Sequence, residues 1–287
     1  MSVSFLHRPA IARVAAAFLI AALLSPASDL AATTDAAAAA PAGAARPAAT
    51  GPGFLHLTLV DLRDVLGAPL SWKKRQWELF SLSVAGIGAA SLLDGRVRDA
   101  ELRDHSHLAD QVAKDFEPLG STGAWGVLGS FYLAGLVRDD SRAKAVGEDG
   151  VLASVLAGGI IAPALKLAAG RRRPRDTTRT YDFKPFSSNQ SFPAGHATEA
   201  FAVASVIAGH YDAWWVRDLS YGSAALVGFA RIHHQGHFLS DVTAGALLGT
   251  AVGRAVVRRN DEERRRFTVA PLLGPRNQPG LAVVFSF

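Results

Sequence analysis

His237 and Asp241 stand four residues apart, a spacing that puts an imidazole and a carboxylate on one face of a helix. A carboxylate accepting from one ring nitrogen fixes the tautomer and leaves the other nitrogen free as a nucleophile. If Ser240 instead caps the helix, His237 lies just before it and still close to Asp241. The same segment, Arg231-Ile232-His233-His234-Gln235-Gly236-His237, adds a cation and two more histidines. A zinc site on His233, His234, His237 and Asp241 is an alternative, although adjacent histidines point apart on a helix.

Two other segments carry matching chemistry. Lys166 is followed, after six intervening residues, by Arg173-Pro174. These cations end a stretch read as a helix opening at Glu148 and Asp149 and running into Gly170, where compensation of the helix dipole is the plainer reading. In Ser191-Phe192-Pro193-Ala194-Gly195-His196-Ala197-Thr198-Glu199, proline and glycine mark a tight loop feeding a helix with His196 in its first turn. The free N–H groups of such a helix start bind phosphate readily. Together the three segments meet the needs of phosphoryl transfer: cations for the equatorial oxygens, helix-start amides, a nucleophilic imidazole with its orienter, and a second imidazole to protonate the leaving group. No Walker-type loop or carboxylate cluster for magnesium is read in the sequence. Positive side chains are therefore expected to do the work of a metal, and no metal or cofactor is expected.

Lys166 with Arg173-Pro174, then Pro193-Ala194-Gly195-His196, then Arg231 with His237 and Asp241, resembles the three-part signature of the type 2 phosphatidic acid phosphatases. That family shares its site with bacterial non-specific acid phosphatases and vanadium haloperoxidases. The resemblance runs from Lys166 to Asp241. It implies that Lys166, Arg173 and Arg231 bind phosphate with a Gly195 amide, that His237 attacks phosphorus, that His196 protonates the leaving oxygen and that Asp241 orients His237. Two positions depart from the pattern: Ala194 and Ala230 stand where the family usually has serine. The first forgoes a hydroxyl expected to touch phosphate, for which Ser191 and Thr198 are the nearest substitutes.

The elements that must position these residues read as helices over 75–93, 96–115, 121–137, 148–169, 196–212, 216–230 and 240–258, each an Ala-, Leu- or Gly-rich run between charged or Gly/Pro punctuation. The expected fold is an all-α bundle of six or seven helices over 54–260, with 261–287 forming a basic segment and a short C-terminal β-hairpin. Residues 1–27 read as a secretory signal, with Arg8 and Arg13 ahead of an apolar run and Ser25-Pro26-Ala27 as the cleavage site. Residues 28–53, nearly all Ala, Pro, Gly and Thr, read as a flexible linker.

An apolar fraction of 49% suits a globular core, and the absence of cysteine is compatible with an oxidising compartment. The formal charge of +5 falls in scattered clusters such as Lys73–Arg75, which argues against a nucleic-acid partner. Of the uncharged stretches only Pro118–Val137 reaches the length of a membrane span, and it is diluted by glycine. The expectation is thus an exported, periplasmic protein at a membrane surface, with an integral inner-membrane protein as the alternative. The expected partner is a phosphate-bearing substrate, lipid or soluble. A vanadate-dependent oxidant and a non-catalytic phosphate- or lipid-binding protein are the competing functions.

Overall fold

The computed structural model describes residue 63 and residues 67–103, 106–273 and 279–285, with side chains as far as residue 264. The expected signal, the linker, and His105 lie outside the described residues. So do the turn of the expected hairpin, 274–278, and all its side chains, and the hairpin forms no part of the fold set out below.

Among the described residues the α-helices are eight: α1 (Lys74–Ser91), α2 (Asp94–Glu101), α3 (His107–Phe116), α4 (Thr122–Val137), α5 (Ser141–Ala169), α6 (Gly195–His210), α7 (Trp214–His233) and α8 (Leu239–Arg266). The helix expected over 96–115 is broken in two. Ser106 takes an extended conformation and accepts from the Ala109 N–H at 3.2 Å, so it starts a new helix where the sequence pattern is continuous. Helix α5 opens earlier than expected, at Ser141, because the Asp140 carboxylate caps the N–H groups of Arg142 and Ala143. A π-helical stretch, Val155–Ile161, interrupts it. It stops at Gly170, whose φ of +57° is left-handed and where a Cβ would lie 1.7 Å from the Lys184 carbonyl oxygen.

Helices α6 and α8 form the central pair, and their closeness follows from a spacing of four in α8. A Cβ on Gly245 would lie 2.5 Å from Ala194 O, one on Gly249 2.2 Å from Thr198 O, and one on Gly253 2.7 Å from Ala202 O. Only hydrogen fits at these three places, so the two backbones meet along the face that carries Ala194 and Asp241 at its head. Phe201, Ile232 and Val242 pack on one side of this pair, and Val146, Leu152, Leu156, Val206 and Val256 on the other. At the far end the Asp149 carboxylate is fully buried, 2.8 Å from His210 Nε2 and accepting from Asn260 and Arg264. Asp149 is therefore a cross-link among α5, α6 and α8, and not the helix-start acid expected from its sequence position.

By length and composition, one helix among the described residues, Ser141–Ala169, is long and apolar enough to cross a membrane. The shorter α4 is also apolar and carries no charged residue.

Candidate active site

The C-terminal ends of α5 and α7 and the N-terminal starts of α6 and α8 meet at one end of the bundle, and every site residue expected from the sequence lies there. Lys166 is in the last turn of α5, and a Cβ on Gly195 would lie 3.0 Å from its Nζ, so glycine at that position leaves the ammonium room against the start of α6. Arg173 is extended just before a short turn, Pro174–Asp176. Among the described residues neither Lys166 nor Arg173 makes an ion pair with a carboxylate. Gly195 is the first residue of α6 and His196 the second, and the capping position, Ala194, provides no side-chain acceptor. The first amides of α6 are thus left for an anion in front of them.

Arg231, near the end of α7, takes a different setting from the other two cations. Its guanidinium donates to Glu117, whose other oxygen lies 2.7 Å from His234 Nδ1. Its carbonyl accepts from the N–H groups of Gly236 and His237 at 3.0 and 3.1 Å, which ties the loop carrying His237 back on the helix end.

His237 is buried and precedes α8, which begins at Leu239, so the two do not share a helical face; Ser240 lies inside the helix and donates to Asp94 in place of the capping role read from the sequence. Its Nδ1 donates to the Ser191 carbonyl at 2.6 Å, while Asp241 Oδ2 is 4.0 Å from the same nitrogen. The direct imidazole–carboxylate hydrogen bond expected from the spacing of four is replaced by a backbone contact. The carboxylate is engaged elsewhere: Oδ2 accepts from Ser191 Oγ at 2.6 Å and from the Phe238 N–H at 2.9 Å, and Oδ1 accepts from Arg171 at 2.6 Å. With Nδ1 committed as a donor, Nε2 carries the free lone pair. Burial, then the charge of Arg231 and those of Lys166 and Arg173, hold the His237 pKa well below the ordinary histidine value. Both effects favour the neutral ring.

The zinc alternative meets three divergent side chains. His233 is held between Glu101 at 2.9 Å and Asp110 at 2.7 Å, His234 faces Glu117, and His237 faces Ser191. The two hydroxyls expected to substitute for the family serine are also engaged, Ser191 with Asp241 and Thr198 with its own helix at Ala194 O, 3.0 Å away.

Sequence reasoning missed Glu117, Asp94 and the side chain of Arg171. Arg171 sits inside the Arg171-Arg172-Arg173 run, and no periodicity distinguishes the buried member of such a run from its solvated neighbours. Glu117 and Asp94 come from helices 114 and 146 residues away from their partners, beyond the reach of any local spacing rule.

Two cavities flank the turn Glu117–Gly120, and His196 lines the polar one. A polar one of about 580 Å³ is lined by Asp110, Lys114, Glu117, Ser121, Thr122, His196 and His234. An apolar one of about 500 Å³ runs between α4, α6 and α7, from Leu119 and Val227 to Trp215 and Leu219. Gly120 packs against Val227 of the apolar wall and His196 of the polar one, since a Cβ there would lie 2.7 Å from Val227 and 2.8 Å from the His196 Cβ.

Comparison with known proteins matches the sequence profile of the PAP2 superfamily to residues 150–265. The lipid A 1-phosphatase of Porphyromonas gingivalis is 33% identical over 40% of this chain and 24% of its own length. Lipid phosphate phosphatase 1 of Arabidopsis thaliana is 28% identical over 38% of this chain and 43% of its own. The chain thus spans less than half the length of either relative. Among solved structures, Aquifex aeolicus LpxE aligns with a TM-score of 0.46 at 22% identity, covering 58% of this chain and 95% of that one. A transmembrane PAP2-type phosphatidylglycerolphosphate phosphatase from Bacillus subtilis aligns with a TM-score of 0.39 at 23% identity, covering 75% and 98%. The residues matched to that profile, 150–265, hold the whole constellation from Lys166 to Asp241.

Proposed function

We propose that the protein is a metal-independent phosphatase of lipid phosphates, working through a phosphohistidine on His237. The observation that carries the reading is the meeting, at one end of the bundle, of three cations, the uncapped start of α6 and two imidazoles, one of them neutral with a free Nε2. In the first step His237 Nε2 forms a bond to phosphorus as the ester P–O bond breaks, and His196 delivers its proton to the leaving oxygen. Lys166, Arg173, Arg231 and the Gly195 N–H hold the three equatorial oxygens. In the second step water attacks phosphorus, His196 takes the water's proton, and the N–P bond breaks to release phosphate. The relatives' names, lipid A 1-phosphatase and lipid phosphate phosphatase, agree with a lipid substrate.

The apolar cavity, whose wall includes Val227, favours an amphiphilic substrate over a small soluble ester, because Gly120 touches both Val227 and His196 and hydrocarbon thus has a place within reach of the site. Large apolar side chains also stand exposed on α1, α4 and α7, among them Phe80, Leu82, Leu133, Leu136, Trp214 and Trp215. A surface of this kind, with tryptophans at its edge, suits a lipid bilayer. This surface supports a location at or in a membrane, with the site at one end of the helices.

The test is phosphate release from phosphatidate, a polyprenyl pyrophosphate and a soluble chromogenic ester, each with and without detergent micelles. Turnover of a lipid phosphate that resists EDTA and disappears in His237→Ala is expected. Loss of activity on chelation, restored by a divalent metal, refutes the metal-free mechanism. A clear preference for the soluble ester refutes the lipid substrate.

A further inference from the structure

Behind His237 lies a buried ionic cluster that the three-part signature does not include. Arg171 is 1% exposed, and all five of its N–H donors are used. One terminal nitrogen donates to Asp241 Oδ1 at 2.6 Å and to Ser240 Oγ at 2.7 Å; the other donates to Asp94 Oδ2 at 2.7 Å and to the Thr180 carbonyl, to which Nε also donates at 3.2 Å. The guanidinium is centred 4.2 Å from the Phe238 ring and 5.1 Å from that of Phe183. Asp94, from α2, is equally buried and accepts from the Ser240 N–H at 2.9 Å and from Ser240 Oγ at 2.6 Å, which holds the first turn of α8.

The cluster reaches the nucleophile by two routes that end on the same residue. The Arg171 carbonyl accepts from the Ser191 N–H at 2.9 Å, and the Arg171 side chain holds Asp241, which accepts from Ser191 Oγ. Ser191 in turn presents the carbonyl that fixes His237 Nδ1. Two carboxylates face one guanidinium, so the cluster carries one surplus negative charge in a place with little solvent. Such a charge is costly to bury unless something positive answers it. A ring that keeps its Nδ1 proton and gains a phosphoryl group on Nε2 becomes a cation, and it forms next to the cluster.

We infer that Arg171 and Asp94 are positioning residues for the phosphatase reaction: through Asp241 and Ser191 they set the His237 ring, and their surplus negative charge offsets the charge that His237 gains on phosphorylation. The inference rests on the proposed function. A further consequence concerns pH. The charged groups facing His237 are Lys166 on α5, Arg173 on the following loop, Arg231 on α7, His196 on α6 and Asp241 on α8, with Arg171 and Asp94 behind Asp241. Any change in the charge of the last two shifts the pH at which His237 becomes neutral, and the direction depends on the sign of the charge removed.

The experiment compares Asp94→Asn, Arg171→Met and the double variant in the full chain in detergent, reading kcat, KM and the acid limb of kcat/KM. Asp94→Asn, close in shape to the native residue, removes the surplus negative charge and is expected to move the acid limb down by about half a unit or more. It should lower kcat about tenfold or more while KM stays within about twofold. Arg171→Met increases the negative charge and should move the limb up; the double variant returns the surplus to one and should bring the limb back. If Arg171→Met does not fold, Asp94→Asn decides alone. A limb unmoved in a folded Asp94→Asn protein, or kcat and KM changing together only as folded protein is lost, overturns the inference and leaves Arg171 a packing residue. These results are distinct from failure of the proposed function, in which the wild-type protein releases no phosphate or His237→Ala remains active.

Discussion

Ala194→Ser restores the residue usual in the family at a position whose environment the structure now defines. Ala194 is fully buried and is the capping residue of α6, with φ −71° and ψ 108° and no side-chain acceptor for the helix amides. Its own N–H donates to Asp241 O at 2.9 Å, and its carbonyl accepts from Thr198 N at 2.9 Å. A serine here can accept from an amide of the first turn, a change from alanine that contributes about 1 kcal/mol. For a domain of this size that is a rise in Tm of about 2–4 °C. The same hydroxyl keeps its proton to donate to a phosphate oxygen. A hydrogen bond to a charged group is worth about 1.5–3 kcal/mol when well made, tenfold to a hundredfold in rate if expressed only in the transition state. A hydroxyl shared with the helix is not ideally aimed, so a rise in kcat/KM of up to about tenfold is expected. Thermal melts in detergent and initial rates on a lipid phosphate measure both effects. A fall in Tm together with a tenfold fall in kcat/KM refutes the reasoning. It would mean that the hydroxyl is pressed unpaired against Ala197 and Val242, neighbours in the apolar cluster, at a cost of about 1–3 kcal/mol.

Because burial and the nearby cations hold the His237 pKa well below the ordinary 6.5, the acid limb of kcat/KM should lie below pH 6.5. The unfolded chain then binds a proton that the folded state refuses. The contribution of this residue to stability falls as pH drops through 6.5, and Tm measured at pH 7.5 and pH 5 in His237→Ala and wild type tests the sign. Glu117→Gln removes the carboxylate that occupies Arg231; phosphate should bind about twofold to fivefold more tightly, read as product inhibition, and unchanged inhibition would show that the pair costs phosphate nothing. Gly249→Ala places a Cβ 2.2 Å from Thr198 O and should destabilise by about 1–3 kcal/mol, whereas Gly222→Ala, with nothing within 4 Å, should be neutral or stabilising in the same melt.

Much of the site was legible because its chemistry is written in short segments. Lys166 to Arg173, Pro193 to His196 and Arg231 to Asp241 each keep their members within about three helical turns, so spacing alone places them at or beside element ends. The all-α character was readable for a similar reason: apolar runs between charged punctuation are local. The break at Ser106 and the early start of α5 at Ser141 were less visible, since a single capping side chain decides each of them against a longer hydrophobic pattern.

Residue types and local order determined which groups could act on a phosphate ester and which helices would carry them. Only the tertiary structure decided what each group faces. The spacing of His237 and Asp241 suggested a direct contact, but α8 begins after the histidine, and the carboxylate turns to Arg171, Ser191 and the Phe238 amide while a carbonyl from another loop takes the imidazole. Arg231 is equally charged in sequence and in structure, yet its partner Glu117 comes from the end of α3, which folds over α7. Hydrogen bonds are short and directional, so their partners depend on where distant backbones come to rest. The approach of α6 to α8 over Gly245, Gly249 and Gly253 is the packing event that sets those positions.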